Sequence, residues 1–183
     1  RMSTILVTGG AGYIGSYVTR YLLARDCSVL VLDDLSNGHA DAVPEGLLVQ
    51  GQIGDAGFLD QIFAEHAIDA VMNFASFIEV GESVSDPAKY HRNNVGQTTV
   101  LLEAMARHGV RNFVFSSTAA IFGNPIRSPI DEFHPQAPIN PYGRSKWVLE
   151  QMLPDHDHAY GLKSVCLRYF NAAGADPEGR LGE

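Results

Sequence analysis

The stretch Thr8-Gly9-Gly10-Ala11-Gly12-Tyr13-Ile14-Gly15-Ser16 restricts the fold of this chain more than any other. It joins a short apolar run, Thr4–Val7, to a segment, Tyr13–Arg25, in which Ile14, Val18 and Leu22 recur on one helical face. Both G-x-x-G-x-x-G (Gly9, Gly12, Gly15) and G-x-G-x-x-G (Gly10, Gly12, Gly15) are present. Glycines at this spacing turn the chain sharply, leave bare backbone where a pyrophosphate must approach, and let a helix pack closely on a strand. A helix starting there aims its positive end and unpaired N–H groups at the turn. A glycine string alone also describes an ordinary strand-to-helix turn, so the weight falls on its context.

The context is alternation. Val29–Leu32, Leu47–Gln50, Ala70–Phe74, Phe113–Ser116 and Ser164–Tyr169 read as buried strands. Ala56–His66 reads as a helix through Phe58, Leu59, Ile62 and Phe63, and Pro87 to Arg107 as a long one with Leu101, Leu102 and Met105 facing the core. A proline-rich loop runs from Gly123 to Pro141. A helix from Pro141 to about Leu153 follows, with Asn140 as N-cap and Pro141 in its first position. Alternating β and α elements imply an α/β fold, a Rossmann-type doubly wound parallel sheet with helices on both faces, in one domain over residues 1–183.

Composition removes other classes. Thirteen Lys and Arg against 21 Asp and Glu give a net charge of −8 with no basic stripe, which argues against nucleic acid or an anionic membrane as partner. No apolar run approaches the roughly 20 residues a bilayer requires. Cys27 and Cys166 lie far apart outside any C-x-x-C, which suggests free thiols and a cytoplasmic location. No metal site is expected: His156 and His158 flank Asp157 without a convergent third ligand.

Two further groups carry chemistry. The second strand ends in Asp33, about 20 residues beyond the glycines, where a carboxylate can accept from both ribose hydroxyls of an adenosine. No arginine follows to hold a 2′-phosphate and Asp34 adds negative charge, which favours NAD over NADP. The loop Asp34-Leu35-Ser36-Asn37-Gly38 equally suits a plain turn begun by Asp33. Tyr142 and Lys146 stand four apart at a helix start and so project from one face. An ammonium near a phenol lowers the phenol's pKa from about 10 and makes it a usable base. The competing reading is a surface pair in which Lys146 faces Glu150. Ser116, Ser117 and Thr118 end a strand at the carboxyl edge of the sheet, where a hydroxyl can bond a substrate oxygen or simply close a turn. Thr118 is the better functional candidate.

Together these residues resemble the extended short-chain dehydrogenase/reductases, and within them the UDP-glucose 4-epimerase branch. The strongest stretches are Thr8–Ser16, Asp33–Gly38, Val80–Val84, Asn93–Val95, Phe115–Thr118, Asn140–Lys146 and Arg168–Ala175, the last (R-Y-F-N-A-A-G-A) being the most specific. The resemblance implies NAD as cofactor, a UDP-sugar as substrate, and a redox-neutral exchange of C4 epimers through a 4-keto sugar. It assigns Gly9, Gly12, Tyr13 and Ile14 to the pyrophosphate, and Asp33, Asp34, Asn37, Gly38, Gln52 and Ile53 to the adenosine side. Phe74, Ala75, Ser76, Asn93, Ser116 and Tyr169 fall along the rest of the cofactor. Tyr142 is the base, Lys146 its partner, which also reaches a cofactor ribose, and Thr118 a hydrogen-bonding helper. Phe170 and Asn171 join Thr118 and Tyr142 at the substrate. The full-length protein is expected to be a homodimer, with Leu101, Leu102 and Met105 either in a helical seam or buried under the sheet. The family continues far beyond Glu183, so the chain is expected to be the N-terminal part of such a protein, able to bind NAD and slow to turn over substrate.

Some positions depart from the pattern. Gly51-Gln52-Ile53-Gly54-Asp55 stands where G-D-I-R-D is usual, so Gln52 offers an amide in place of a carboxylate. Gln97 replaces a helix glycine, Phe122 a common tyrosine, and Ile78 a lysine found in some members. Thr118 is followed by Ala119-Ala120 rather than the acidic pair of the 4,6-dehydratases. The same motifs would also serve a net reductase of this fold or a non-catalytic NAD sensor. Trp147 and Tyr160 are expected in or near the core.

Overall fold

The computed structural model describes residues 2–182. Six parallel strands form one sheet in the order β3-β2-β1-β4-β5-β6. They are β1 (Thr4–Thr8), β2 (Ser28–Asp33), β3 (Leu48–Gln50), β4 (Ala70–Asn73), β5 (Asn112–Thr118) and β6 (Lys163–Tyr169). The helices are α1 (Tyr13–Leu23), α2 (Ala56–Glu65), α3 (Val80–Ser85), α4 (Pro87–Tyr90), α5 (Thr98–Arg107) and α6 (Pro141–Tyr160). This is the Rossmann-like α/β arrangement that the alternation implied.

Strand residues alternate between two cores, as the pleat requires. Leu6, Leu30, Leu32, Val71, Phe113 and Phe115 meet apolar residues of α2, α5 and α6 on one face. Val7, Val29 and Val31 meet Leu22 and Leu23 of α1 on the other. Leu101, Leu102 and Met105 are wholly buried in the first cluster, so they cannot form a helical seam with a second subunit.

Several elements differ from the sequence reading. α1 buries Gly15, Ser16 and Thr19, while Ile14, Val18 and Leu22 are only half-buried. The small residues win because α1 lies tight on the glycine turn: a Cβ on Gly15 would sit 2.3 Å from the Gly9 carbonyl oxygen. The helix expected over Pro87–Arg107 is continuous, but its middle, His91–Gln97, is a π-helix. α3 is an addition, with Val80 and Val84 exposed. α6 passes Pro154 and stops at Gly161, whose left-handed backbone (φ 69°) caps it. Tyr160 is 54% exposed, contrary to its expected burial, and Trp147 is half-buried. Among the described residues no helix is long and apolar enough to cross a membrane.

Candidate active site

The sheet reverses its winding between β1 and β4, and the carboxyl ends of the strands there are the place where doubly wound sheets carry a ligand crevice. The glycine turn forms one wall. Gly9 has φ +70°, and a Cβ there would fall 2.5 Å from the amide nitrogen of Ala75, so side chains are excluded by both backbone and space. Gly12 differs: a Cβ on it would meet only the Gly9 oxygen, at 3.5 Å. It is the N-cap of α1, makes no side-chain cap, and no acidic residue occupies the first turn. The N–H groups of Tyr13 and Ile14 therefore lack the intrahelical partners that later turns have. The Tyr13 hydroxyl donates to the carbonyl of Gly174 (2.7 Å), bringing the segment after β6 to the start of α1.

Asp33 is 9% exposed. One carboxylate oxygen accepts from Ala11 N (2.9 Å) and the other from Leu35 N (2.8 Å). It thus begins a turn and also ties the glycine turn to β2. Asp34 accepts from Ser36 N, Asn37 is exposed, and Gly38 packs so closely that a Cβ would lie 2.8 Å from Ala11. Gln52 is exposed and Ile53 buried just after β3. Phe74, Ala75 and Ser76 follow β4, all half-buried.

Two asparagines that sequence reasoning missed organise this wall. Asn73 accepts from the Thr8 hydroxyl (2.7 Å) and from Ala75 N (3.1 Å). Asn94, wholly buried in the π-helix, accepts from Phe77 N (2.9 Å) and donates to Phe77 O (3.0 Å) and to the Ser145 hydroxyl (3.1 Å). Ser145 in turn donates to Tyr142 O (2.7 Å). One side chain therefore clamps the loop of Ser76 to the helix of Tyr142. Asn93, named from sequence, is half-buried and donates to Asn94. The doublet N-N was the available signal, read one residue too early for this role.

The opposite wall is the start of α6. Asn140 accepts from Gly143 N (2.7 Å) and Pro141 follows, as expected of that cap. Lys146 is 2% exposed, and its amine donates to the Ser76 hydroxyl (2.8 Å) and to the carbonyl of Ser116 (2.7 Å). Ser116 thus meets Lys146 through its backbone, not its hydroxyl. The competing arrangement, a surface pair of Lys146 with Glu150, is not formed. Glu150 is buried, accepts from the Ser117 hydroxyl, and pairs with the Arg168 guanidinium (2.7 Å). A hydrogen bond links Tyr142 to Thr118.

The electrostatics correct one expectation. Lys146 does not draw down the Tyr142 pKa: burial raises the phenol, and only the hydrogen bond with Thr118 opposes it. Lys146 itself is pushed down to about 7 by burial alone. Burial shifts both groups toward their neutral forms, and no opposite charge offsets it at either one. Tyr169 is half-buried and its pKa is raised by burial, whereas Phe170 and Asn171 are exposed. Among the described residues no three His, Cys, Asp or Glu side chains converge as a metal site.

Residues 5–182 match the NAD dependent epimerase/dehydratase family. The chain belongs to that family. It is 54% identical over 181 residues to a UDP-glucose 4-epimerase of Rhizobium meliloti (strain 1021), covering 99% of this chain and 55% of that one. It is 47% identical over 189 residues to UDP-arabinose 4-epimerase 1 of Arabidopsis thaliana, covering 98% of this chain and 45% of the relative. The crystal structure of UDP-glucose 4-epimerase from Brucella ovis in complex with NAD superposes with a TM-score of 0.97 at 50% identity, covering 99% of this chain and 56% of that one. The chain spans about half the length of these relatives. Within the epimerase/dehydratase family, then, this portion holds the sheet, the glycine turn and the Tyr142–Lys146 pair.

Proposed function

We propose that this chain binds NAD along the carboxyl edge of its sheet and supplies the Tyr142–Lys146 pair for 4-epimerisation of a UDP-hexose, interconverting UDP-glucose and UDP-galactose. The observation that supports the reading is that both parts touch the loop after β4, Gly9 against Ala75 and Lys146 on Ser76. Lys146 is buried between Ser76 and Ser116 one turn from a Tyr142 bonded to Thr118, across from a bare glycine turn.

The residues suit the dinucleotide. Tyr13 and Ile14 offer backbone N–H groups to a pyrophosphate, while Gly9 and Gly12, whose own N–H groups are donated to Leu32 O and Gly9 O, keep side chains out of its way. Each Asp33 oxygen, having accepted one backbone N–H, retains lone-pair capacity for a ribose hydroxyl. Asp34, Asn37, Gly38, Gln52 and Ile53 border the adenosine half. Phe74, Ala75, Ser76, Asn93, Ser116 and Tyr169 border the nicotinamide half. When bound, NAD supplies reversible oxidation at the sugar C4, and its pyridinium charge favours the Tyr142 phenolate.

Tyr142 Oη takes the proton of the sugar 4-hydroxyl and later returns it to the same oxygen on the other epimer. The Thr118 hydroxyl orients Tyr142. The Lys146 amine uses two N–H groups on Ser76 and Ser116; in its protonated form the third is left for a ribose hydroxyl. Phe170 and Asn171, both exposed, face the sugar nucleotide. A UDP-pentose is the second candidate substrate, on the likeness to the UDP-arabinose enzyme.

Calorimetric titration of NAD into the chain should give a saturable one-to-one isotherm, with NADP at least about tenfold weaker. UDP-galactose and UDP-arabinose offered with NAD should be converted slowly without net NADH. Tyr142→Phe should abolish conversion and keep NAD binding. A flat NAD isotherm overturns the reading, and net NADH accumulation replaces epimerisation with a net dehydrogenase.

A further inference from the structure

Lys146 and Glu150 sit one turn apart on the buried side of α6, the spacing at which a lysine and a carboxylate ordinarily join. Here they do not join, and the reason lies on β6. The Arg168 guanidinium takes both Glu150 oxygens: Nη2 to Oε2 at 2.7 Å, and Nε to Oε1 and Oε2 at 3.2 and 3.3 Å. Ser117 on β5 donates to Oε1 as well. A carboxylate so occupied has little capacity left for another cation.

The groups around the Lys146 amine complete the account. They are the Ser76 hydroxyl from the loop after β4, the Ser116 carbonyl and the Phe115 ring (5.0 Å) from β5, and Tyr142 and Glu150 one turn to either side on α6. Among the described residues no carboxylate lies within ion-pair distance of it. Arg168 is itself fixed, donating to Glu132 O (3.3 Å) and lying over the Phe122 ring.

We infer that Arg168 is a positioning residue: by holding Glu150 it denies that carboxylate to Lys146 and keeps the Lys146 amine turned toward Ser76 and the crevice. Removing the guanidinium frees a buried carboxylate one turn from a buried amine, and the two then pair, because each is otherwise left without a counter-charge in a poorly solvated site. Lys146 is thereby pulled away from the position where the function proposed above needs it. The inference concerns the same pair as that proposal, but its test reads the amine alone and is independent of NAD binding.

The chain has only three lysines, Lys89, Lys146 and Lys163, so the 13Cε signal of Lys146 can be followed by NMR across pH once assigned with Lys146→Arg. In the unaltered chain it should titrate with a midpoint of about 7. Arg168→Met should raise the midpoint above about 8, since one pKa unit matches a modest buried charge interaction. The double variant Arg168→Met/Glu150→Met should return it to near its starting value. Glu150→Gln alone should not raise it, because the amine gains no partner and the guanidinium left without its carboxylate can only push it lower. A purely structural role would shift stability without moving this titration or being reversed by the second change. An unmoved midpoint in folded Arg168→Met, or a raised one that Arg168→Met/Glu150→Met does not reverse, overturns the inference; if Arg168→Met does not fold, Arg168→Gln with its own Glu150→Met double variant is read by the same two outcomes.

Discussion

Asp33 accepts two backbone N–H groups, one from the glycine turn and one from the following loop, so replacing it acts on folding as well as on any ligand. Asp33→Ala should cost about 2–3 kcal/mol in urea unfolding, since two N–H groups in a buried setting lose a charged acceptor, and Asp33→Asn about half of that. Lys146 gives a pH signature. Its folded-state pKa, about 7, lies below the ordinary 10.5, so between those values the unfolded chain binds more protons than the folded one. Stability should therefore rise with pH across that window through this group, and be flatter there in Lys146→Met, as urea midpoints at stepped pH will measure. The residues read correctly from sequence at this scale are those whose chemistry is local. Asn140 caps the helix it precedes, and Tyr142 and Lys146 share a face because they are four apart. Asn73, Asn94 and Arg168 were missed because their partners lie far along the chain, Asn94 on Phe77 and Ser145, and Arg168 on Glu150.

Elements were legible where an apolar stripe faces a core. α5 was found through Leu101, Leu102 and Met105, all fully buried. α3 was not, because Val80 and Val84 point outward and leave no stripe. The π-helix was invisible for another reason: one widened turn barely changes a helical period over a long segment. α6 continues past Pro154 because Leu149 and Leu153 are already anchored before it and Gly161 caps the far end. The π-helix also contacts the turn after β3. A Cβ on Gly54 would lie 2.8 Å from Cγ of Gln97, so two positions that depart from the family pattern pack on each other. Gly54→Ala should destabilise by about 1 kcal/mol with Gln97 in place, through overpacking. In a Gln97→Ala background it should stabilise by about 0.5 kcal/mol, by restricting the unfolded chain. Additive effects in that double-mutant cycle would contradict the contact.

The whole molecule is one sheet between two cores, and its cooperativity can be read from a single reporter. The only tryptophan, Trp147, lies on α6, while Val31 is buried in the opposite cluster with Val7 and Val29. Val31→Ala should cost on the order of 2 kcal/mol and shift the Trp147 fluorescence transition as a single step. An unshifted Trp147 signal would mean that the two faces unfold apart. The class of the sheet was legible from alternation, but its strand order was not, because pairing is settled by crossovers and not by pattern. That order has a consequence during synthesis. β1 is translated before every other strand yet lies between β2 and β4. Its flank toward β4 must wait on the ribosome until Asn73 has emerged, so a nascent chain arrested before that point displays a greasy, half-paired ribbon open to misassembly.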